Sequence, residues 1–178
     1  MILRETPLPG AFVVDIEPAR DERGFFARTF DIKTFAEHGL ATVVDQVSVS
    51  HNARAGTLRG MHYQAAPHGE EKLVRCVGGA IHDVIVDLRE DSPTFRQWFG
   101  LDLDAESHRA LYIPKGMAHG FQTLTDDAEV LYLISTPYVP EAGRGVRWDD
   151  PAFAIRWPDP HGERVISERD RTYPDFAA

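Results

Sequence analysis

Thr57-Leu58-Arg59-Gly60-Met61-His62-Tyr63-Gln64 reads as a β-strand. Side chains two apart share a strand face, so Leu58, Gly60, His62 and Gln64 point one way and Arg59, Met61 and Tyr63 the other. Gly60 is where a bulge could re-aim that pattern. Downstream, 72–77 reads as a second strand on which Lys72, Val74 and Cys76 share a face. His62 and Lys72 can then look into one interior. A lysine there is expensive without a partner or a wet cavity.

The same signature recurs outward from this pair. Segments 42–50, 80–88, 97–103, 110–113, 117–124 and 130–136 are short β-rich runs bounded by Gly, Pro, Asp and Asn. Such spacing favours a sandwich or barrel over βαβ units. One helix is expected near 31–38, capped by Asp31 and ended by Gly39. Pro158, Pro160 and Gly162 make the tail irregular, and Pro174 would end a short helix after Ser167.

The 178 residues suit one domain, 1–178, large enough to bury its own core. Hydrophobic residues make up 43% and charged residues 26%, which excludes disorder, collagen and coiled coil as the main state. A net charge of −9 argues against non-specific nucleic-acid binding. An anionic small ligand remains open, because a local arginine cluster can reverse the field inside one cleft. The lone Cys76 allows no intrachain disulfide and fits a reducing compartment. No signal-peptide pattern begins the sequence, and no apolar run approaches the ~20 residues of a membrane helix. A cytoplasmic protein without a membrane partner is expected.

Gly60-Met61-His62-Tyr63-Gln64, followed by Glu70-Glu71 and Gly78-Gly79, resembles the first cupin motif. Pro114-Lys115-Gly116-Met117-Ala118-His119 resembles the second. The expected fold is therefore all-β, a cupin-type jelly roll with a few short helices. Many cupins hold a metal here, but Gln64 occupies the place of the second histidine. Lys72 directly follows Glu71, and its charge repels a divalent cation. His62, Glu71 and His119 would be the ligands left; no metal is expected.

The resemblance extends along nearly the whole chain. Asp21-Glu22-Arg23-Gly24-Phe25-Phe26, Leu58–Gln64, Lys72–Cys76, Asp83–Arg89 and Ser92-Pro93-Thr94-Phe95 come in order. Tyr112–Phe121, Trp148-Asp149-Asp150-Pro151, Ile155-Arg156-Trp157-Pro158 and Ser167-Glu168-Arg169-Asp170 follow. In order and spacing they resemble the dTDP-4-dehydrorhamnose 3,5-epimerase family. That family acts on a nucleotide-linked 4-keto-6-deoxyhexose without metal or cofactor. The ketone acidifies C3 and C5, a base removes a proton, and an acid returns one to the other face.

By this resemblance His62 is the base, and an imidazole suits that task near neutral pH. Asp170 is its carboxylate partner and Tyr132 the opposing proton donor. Lys72 stabilises the enolate oxygen. Arg23, Arg59 and His119 match positions that contact the diphosphate or sugar. Arg169 stands where the family often has lysine. Tyr138 matches an aromatic that stacks on the base, and Gln46 and Ser48 match base and sugar contacts. The resemblance also implies a homodimer with an exchanged N-terminal strand, which would place Arg23 and Phe26 at the partner's site. Arg28 and Arg144 stand where the family often has acidic residues, and Ser48 where it usually has asparagine.

Taken singly, these residues have plainer uses. His62 and His119 could be core histidines, Tyr132 a packed ring, Asp170 a tail charge. His38, His51, His68, His82, His108 and His161 belong to no motif. Joint occurrence of base, acid, cation and opposing tyrosine favours an epimerase. The alternatives are inversion at C3 or C5 alone on another nucleotide sugar, a metal-dependent cupin isomerase or dioxygenase, and a non-catalytic sugar-nucleotide binder.

Overall fold

The computed structural model describes residues 1–160 and 162–176; His161 lies outside the described residues. The strands are β1 (Ile2–Glu5), β2 (Phe12–Asp15), β3 (Ala19–Asp21), β4 (Gly24–Phe26), β5 (Gln46–Asn52), β6 (Thr57–Gln64) and β7 (Lys72–Gly78). They continue with β8 (Ala80–Asp87), β9 (Trp98–Asp104), β10 (Ala110–Ile113), β11 (Met117–Thr123), β12 (Ala128–Ile134), β13 (Gly143–Gly145) and β14 (Val165–Ile166). One sheet runs β1-β2-β10-β7-β12-β5 and the other β13-β6-β11-β8-β9, with β14 parallel to β6. β3 and β4 form a separate hairpin.

Strand alternation sorts the side chains into layers. Val74, Cys76, Leu111 and Val130 of the first sheet meet Ile81, Ile85, Leu103 and Phe121 of the second in the main core. The outer face of the second sheet buries Met61, Val84, Val86 and Ala118 beneath Val146 and Phe153. Phe35, from helix α1 (Ile32–Glu37), covers Leu73 and Tyr112 on the outer face of the first sheet. Asp31 caps that helix by accepting from the Thr34 N–H at 2.9 Å. Ser167 caps the second helix, α2 (Glu168–Arg171), in the same way.

Two expectations are corrected. The first concerns 42–50: β5 starts only at Gln46, opposite Ile134 at the end of β12. The Asp45 N–H still donates to the Ile134 carbonyl at 2.8 Å, but β12 ends there, and residues 42–45 are not strand. The second concerns the faces of β6. Its register against β11 runs His62↔His119 and then Arg59↔Phe121, so Gly60 and Met61 together oppose the single Gly120. This bulge turns Arg59 to the same face as His62 and sends Met61 to the opposite side. Gly60 makes it feasible with φ near 125°. A Cβ on Gly60 would stand 2.5 Å from the Gly120 Cα, and one on Gly120 would stand 2.7 Å from the Met61 sulfur.

Candidate active site

The two sheets part around a cleft of about 900 Å³. Strand β6 brings His62 and Arg59, β7 brings Lys72, β11 brings His119, β12 brings Tyr132 and edge strand β5 brings Gln46 and Ser48. Helix α2 swings Arg169 and Asp170 in from the end of the chain, and Tyr138 and Arg144 border the opening. Ten of the twelve site residues expected from sequence thus meet in one place. Arg23 and Phe26 do not: they lie on the exposed β3–β4 hairpin, and Phe26 is 75% exposed. Arg28 is also away from the cleft, 3.7 Å from Asp31.

His62 Nε2 lies 2.7 Å from an Asp170 carboxylate oxygen, and the other Asp170 oxygen accepts the Gly60 N–H at 3.2 Å. Asp170 is buried. Burial alone would raise its pKa, but the His62 hydrogen bond and charge, with the Gly60 N–H, outweigh this and hold it below the usual carboxylate value. With a depressed folded-state pKa, this network stabilises the fold above the ordinary carboxylate range. The contribution is lost as pH falls through the lowered value. Since Asp170 engages Nε2, Nδ1 is left to exchange a proton with a ligand.

A second pair stands opposite. His119, Cα partner of His62, places Nε2 2.7 Å from the fully buried Asp83. Its ring meets Tyr132 edge-on, with centroids 6.1 Å apart. Burial pushes the Tyr132 phenol well above its ordinary pKa, and the Asp83 charge adds to this while Arg59 opposes it. Tyr132 therefore keeps its proton at neutral pH, as a donor must.

Lys72 is held by Glu70 at 2.7 Å, and both side chains are nearly buried. The Gln64 amide donates to Glu70 at 3.1 Å and to two backbone carbonyls, while its oxygen accepts the Val139 N–H at 2.7 Å. Gln64 thus positions the carboxylate that pairs with Lys72. Glu71, the acid singled out from sequence, does not line the cleft; it borders a small recess on the other side of β7. Glu70 was not singled out; it lies outside β7, and its only signal was its place two residues before Lys72. Asp83 also had a signal, being an acid in the midst of the largely apolar run of β8. Among the described residues, no group of three or more His, Cys, Asp or Glu side chains gathers as metal ligands.

Around the opening, Arg59 donates to Asn52 at 2.7 Å, and the Tyr138 N–H donates to Gln46 at 3.1 Å. Tyr173 packs its ring edge-on to His62 at 6.3 Å, behind the His62–Asp170 pair. Nothing in the sequence marked it. The arrangement pairs a carboxylate-bound imidazole with a phenol and a lysine in the same cleft, which suits proton removal and return at a carbon acid.

Comparison with known proteins agrees with this chemistry. The family model for dTDP-4-dehydrorhamnose 3,5-epimerase matches residues 5–178. An enzyme of that name from Methanothermobacter thermautotrophicus is 43% identical over 171 residues, covering 95% of this chain and 91% of its own. The crystal structure of one from Elizabethkingia anophelis superposes with a TM-score of 0.95 at 37% identity, covering 99% of this chain and 96% of that one. One from Bacillus anthracis, with TDP and PPi bound, gives 0.92 at 40% identity, with 98% and 99% coverage. The chain belongs to the dTDP-4-dehydrorhamnose 3,5-epimerase family.

Proposed function

We propose that the protein inverts C3 and C5 of dTDP-4-dehydro-6-deoxy-D-glucose, giving dTDP-4-dehydro-L-rhamnose. The observation that carries this is the opposition of the His62–Asp170 pair to Tyr132 across one cleft, with Lys72 in the same cleft. His62 Nδ1 takes the proton from the carbon next to the ketone. The C–H electron pair becomes the enolate double bond, and the carbonyl pair moves to the C4 oxygen. Lys72 meets that new charge. Tyr132 then gives its proton to the opposite face, the carbonyl re-forms and the carbon is inverted. Exchange with solvent returns His62 and Tyr132 to their starting states before the second carbon reacts. Arg59, His119 and Arg169 hold the diphosphate and sugar, Gln46 and Ser48 the base and deoxyribose, and Tyr138 stacks on the base.

Incubation with this substrate in D₂O, followed by proton NMR of the sugar, tests the reading. Deuterium should enter both C3 and C5, with both centres inverted. Entry at one carbon would reduce the activity to a mono-epimerase, and entry at neither, with folded protein, would refute the reading.

We also infer a homodimer. Phe25 and Phe26 on the β3–β4 hairpin and Val47 and Val49 on β5 leave apolar surface uncovered in the single chain. Exchange of the N-terminal segment would bring Arg23 and Phe26 to the partner's cleft. Sedimentation equilibrium should give twice the chain mass at micromolar concentration; a monomer would refute the exchange. The lone Cys76 supports a cytoplasmic setting, and recovery of the protein in a periplasmic or secreted fraction after cell fractionation would speak against it. Among the described residues, no helix is long and apolar enough to cross a membrane.

A further inference from the structure

Strand β13 pairs with β6 so that Gly143 stands opposite Gln64 and Gly145 opposite His62. Directly paired residues of antiparallel strands project to the same side, so a side chain at 145 would lie beside the His62 imidazole. Glycine leaves that place empty, and Tyr173 fills it. The three atoms nearest to a Cβ built on Gly145 are Cζ, Cε2 and the hydroxyl oxygen of Tyr173, all close enough to collide with it. The Tyr173 ring meets the His62 ring edge-on, with centroids 6.3 Å apart and planes at 69°. Tyr173 is not among the side chains that line the cleft.

The segment that carries Tyr173 also carries Asp170. Helix α2 has four residues, too few to hold a shape of its own. Upstream it is tied to β6 by the parallel pairing of β14. Asp170 fastens its middle to His62 and to the Gly60 N–H. Tyr173 lies three residues further on and supplies a downstream contact. The Arg169 guanidinium carbon also packs on its ring, 5.9 Å from the centroid. The His62 side chain is 41% exposed, so few neighbours restrain it. One hydrogen bond at Nε2 fixes a point of the imidazole and leaves the ring free to pivot. The Tyr173 ring edge removes that freedom.

We propose that Tyr173 is a positioning residue for proton transfer: its ring, seated on Gly145, holds the His62 imidazole against Asp170 with Nδ1 aimed into the cleft. This rests on the reading of His62 as the base. Tyr173 acts through His62 and not on the ligand, so it governs the chemical step more than binding. A reacting group misplaced by about 1 Å loses about 10²-fold in rate. The ring performs this task and the hydroxyl does not, since the contact with His62 is made by the ring edge.

Steady-state kinetics on dTDP-4-dehydro-6-deoxy-D-glucose, with NMR of the ring N–H protons in the histidine-labelled full-length protein, test it. The His62 Nε2–H resonance is identified by its absence from His62→Gln. Tyr173→Ala should lower kcat about 10- to 100-fold and broaden that resonance away. Its KM should rise no more than about fivefold, through the lost Arg169 contact. Tyr173→Phe should keep kcat within about threefold of wild type, with the resonance intact. Gly145→Ala pushes the ring off its seat and should reproduce the Tyr173→Ala loss. The two changes together should lose no more than about twofold beyond either alone, because both act through one contact. Gly145→Ala leaves the tyrosine in the chain and carries the test by itself if Tyr173→Ala does not fold. Unchanged kcat in Tyr173→Ala or Gly145→Ala, an equal loss in Tyr173→Phe, additive losses in the pair, or a fall in kcat with the resonance intact would overturn the positioning role. So would absence of the resonance from wild type. A wild-type protein that turned over no substrate would count against the nucleotide-sugar reading. The resonance would then judge the contact alone: its loss in Tyr173→Ala and Gly145→Ala supports it, and its persistence overturns it.

Discussion

Replacing His62 with glutamine should lower turnover by about 10³-fold while the protein stays folded, because general-base catalysis contributes roughly 10²–10⁴-fold. Glutamine can still donate to Asp170, so the buried carboxylate keeps a partner. Alanine cannot. His62→Ala should be equally inactive and also less stable at neutral pH, by about 1–3 kcal/mol for a buried acceptor left without its donor. The two variants separate the chemical role of the imidazole from its structural one. Deuterium exchange at both sugar carbons should vanish in each. Retention of a tenth of the wild-type rate by His62→Gln would remove His62 as the base.

Lys72 gives the second large effect, and here folding and chemistry are entangled. Lys72 and Glu70 are both nearly buried and pair at 2.7 Å. Lys72→Ala leaves Glu70 uncompensated, a change that costs about 3–5 kcal/mol in buried pairs. The informative variant is Lys72→Met combined with Glu70→Gln, which removes both charges and keeps most of the volume. Its stability should return to within about 1–2 kcal/mol of wild type. Its turnover should stay about 10²–10³-fold low, with dTDP binding little changed, because the charge Lys72 meets exists only in the enolate. Recovery of turnover in the double variant would reduce Lys72 to a structural partner of Glu70.

Much of the sheet architecture was legible because the long strands alternate. β6 and β10 have the bounds read from sequence, β7, β8 and β11 differ by a single residue at one end, and β9 is shifted by one residue. β12 is displaced by two residues, since its pairing with β5 begins at Ala128. Helix α1 followed from its Asp31 cap, whereas for α2 the sequence showed only room for a short helix between Ser167 and Pro174, and the capping by Ser167 went unread. Strands β1 to β4, β13 and β14 went unread. Each has two to four residues, too few for a period to register, and unlike the equally short but wholly buried β10 none is a continuous buried apolar run.

The site was legible in a different way. No local pattern places Asp170 against His62, which lies 108 residues earlier; only the family resemblance did so. The face of Arg59 could not be read from alternation because a bulge resets it, although the glycine that permits the bulge was visible. The supporting residues were the least visible. Gln64 looked like a lost metal ligand and proves to hold Glu70 in place.

The contact between Gly60 and Gly120 bears on how this sequence can change over generations. Each glycine occupies space that a side chain on the other would need, and the bulge that re-aims Arg59 lies between them. A methyl group added at either position meets main chain or the Met61 sulfur, so a single step at one cannot be accommodated by a prior step at the other. The two positions form an evolutionary cul-de-sac at the centre of the sheet. Drift must pass around them, through the cleft rim, where Ser48 and Arg144 stand on the edge strands β5 and β13 and a side chain can change without meeting a neighbouring main chain on both sides.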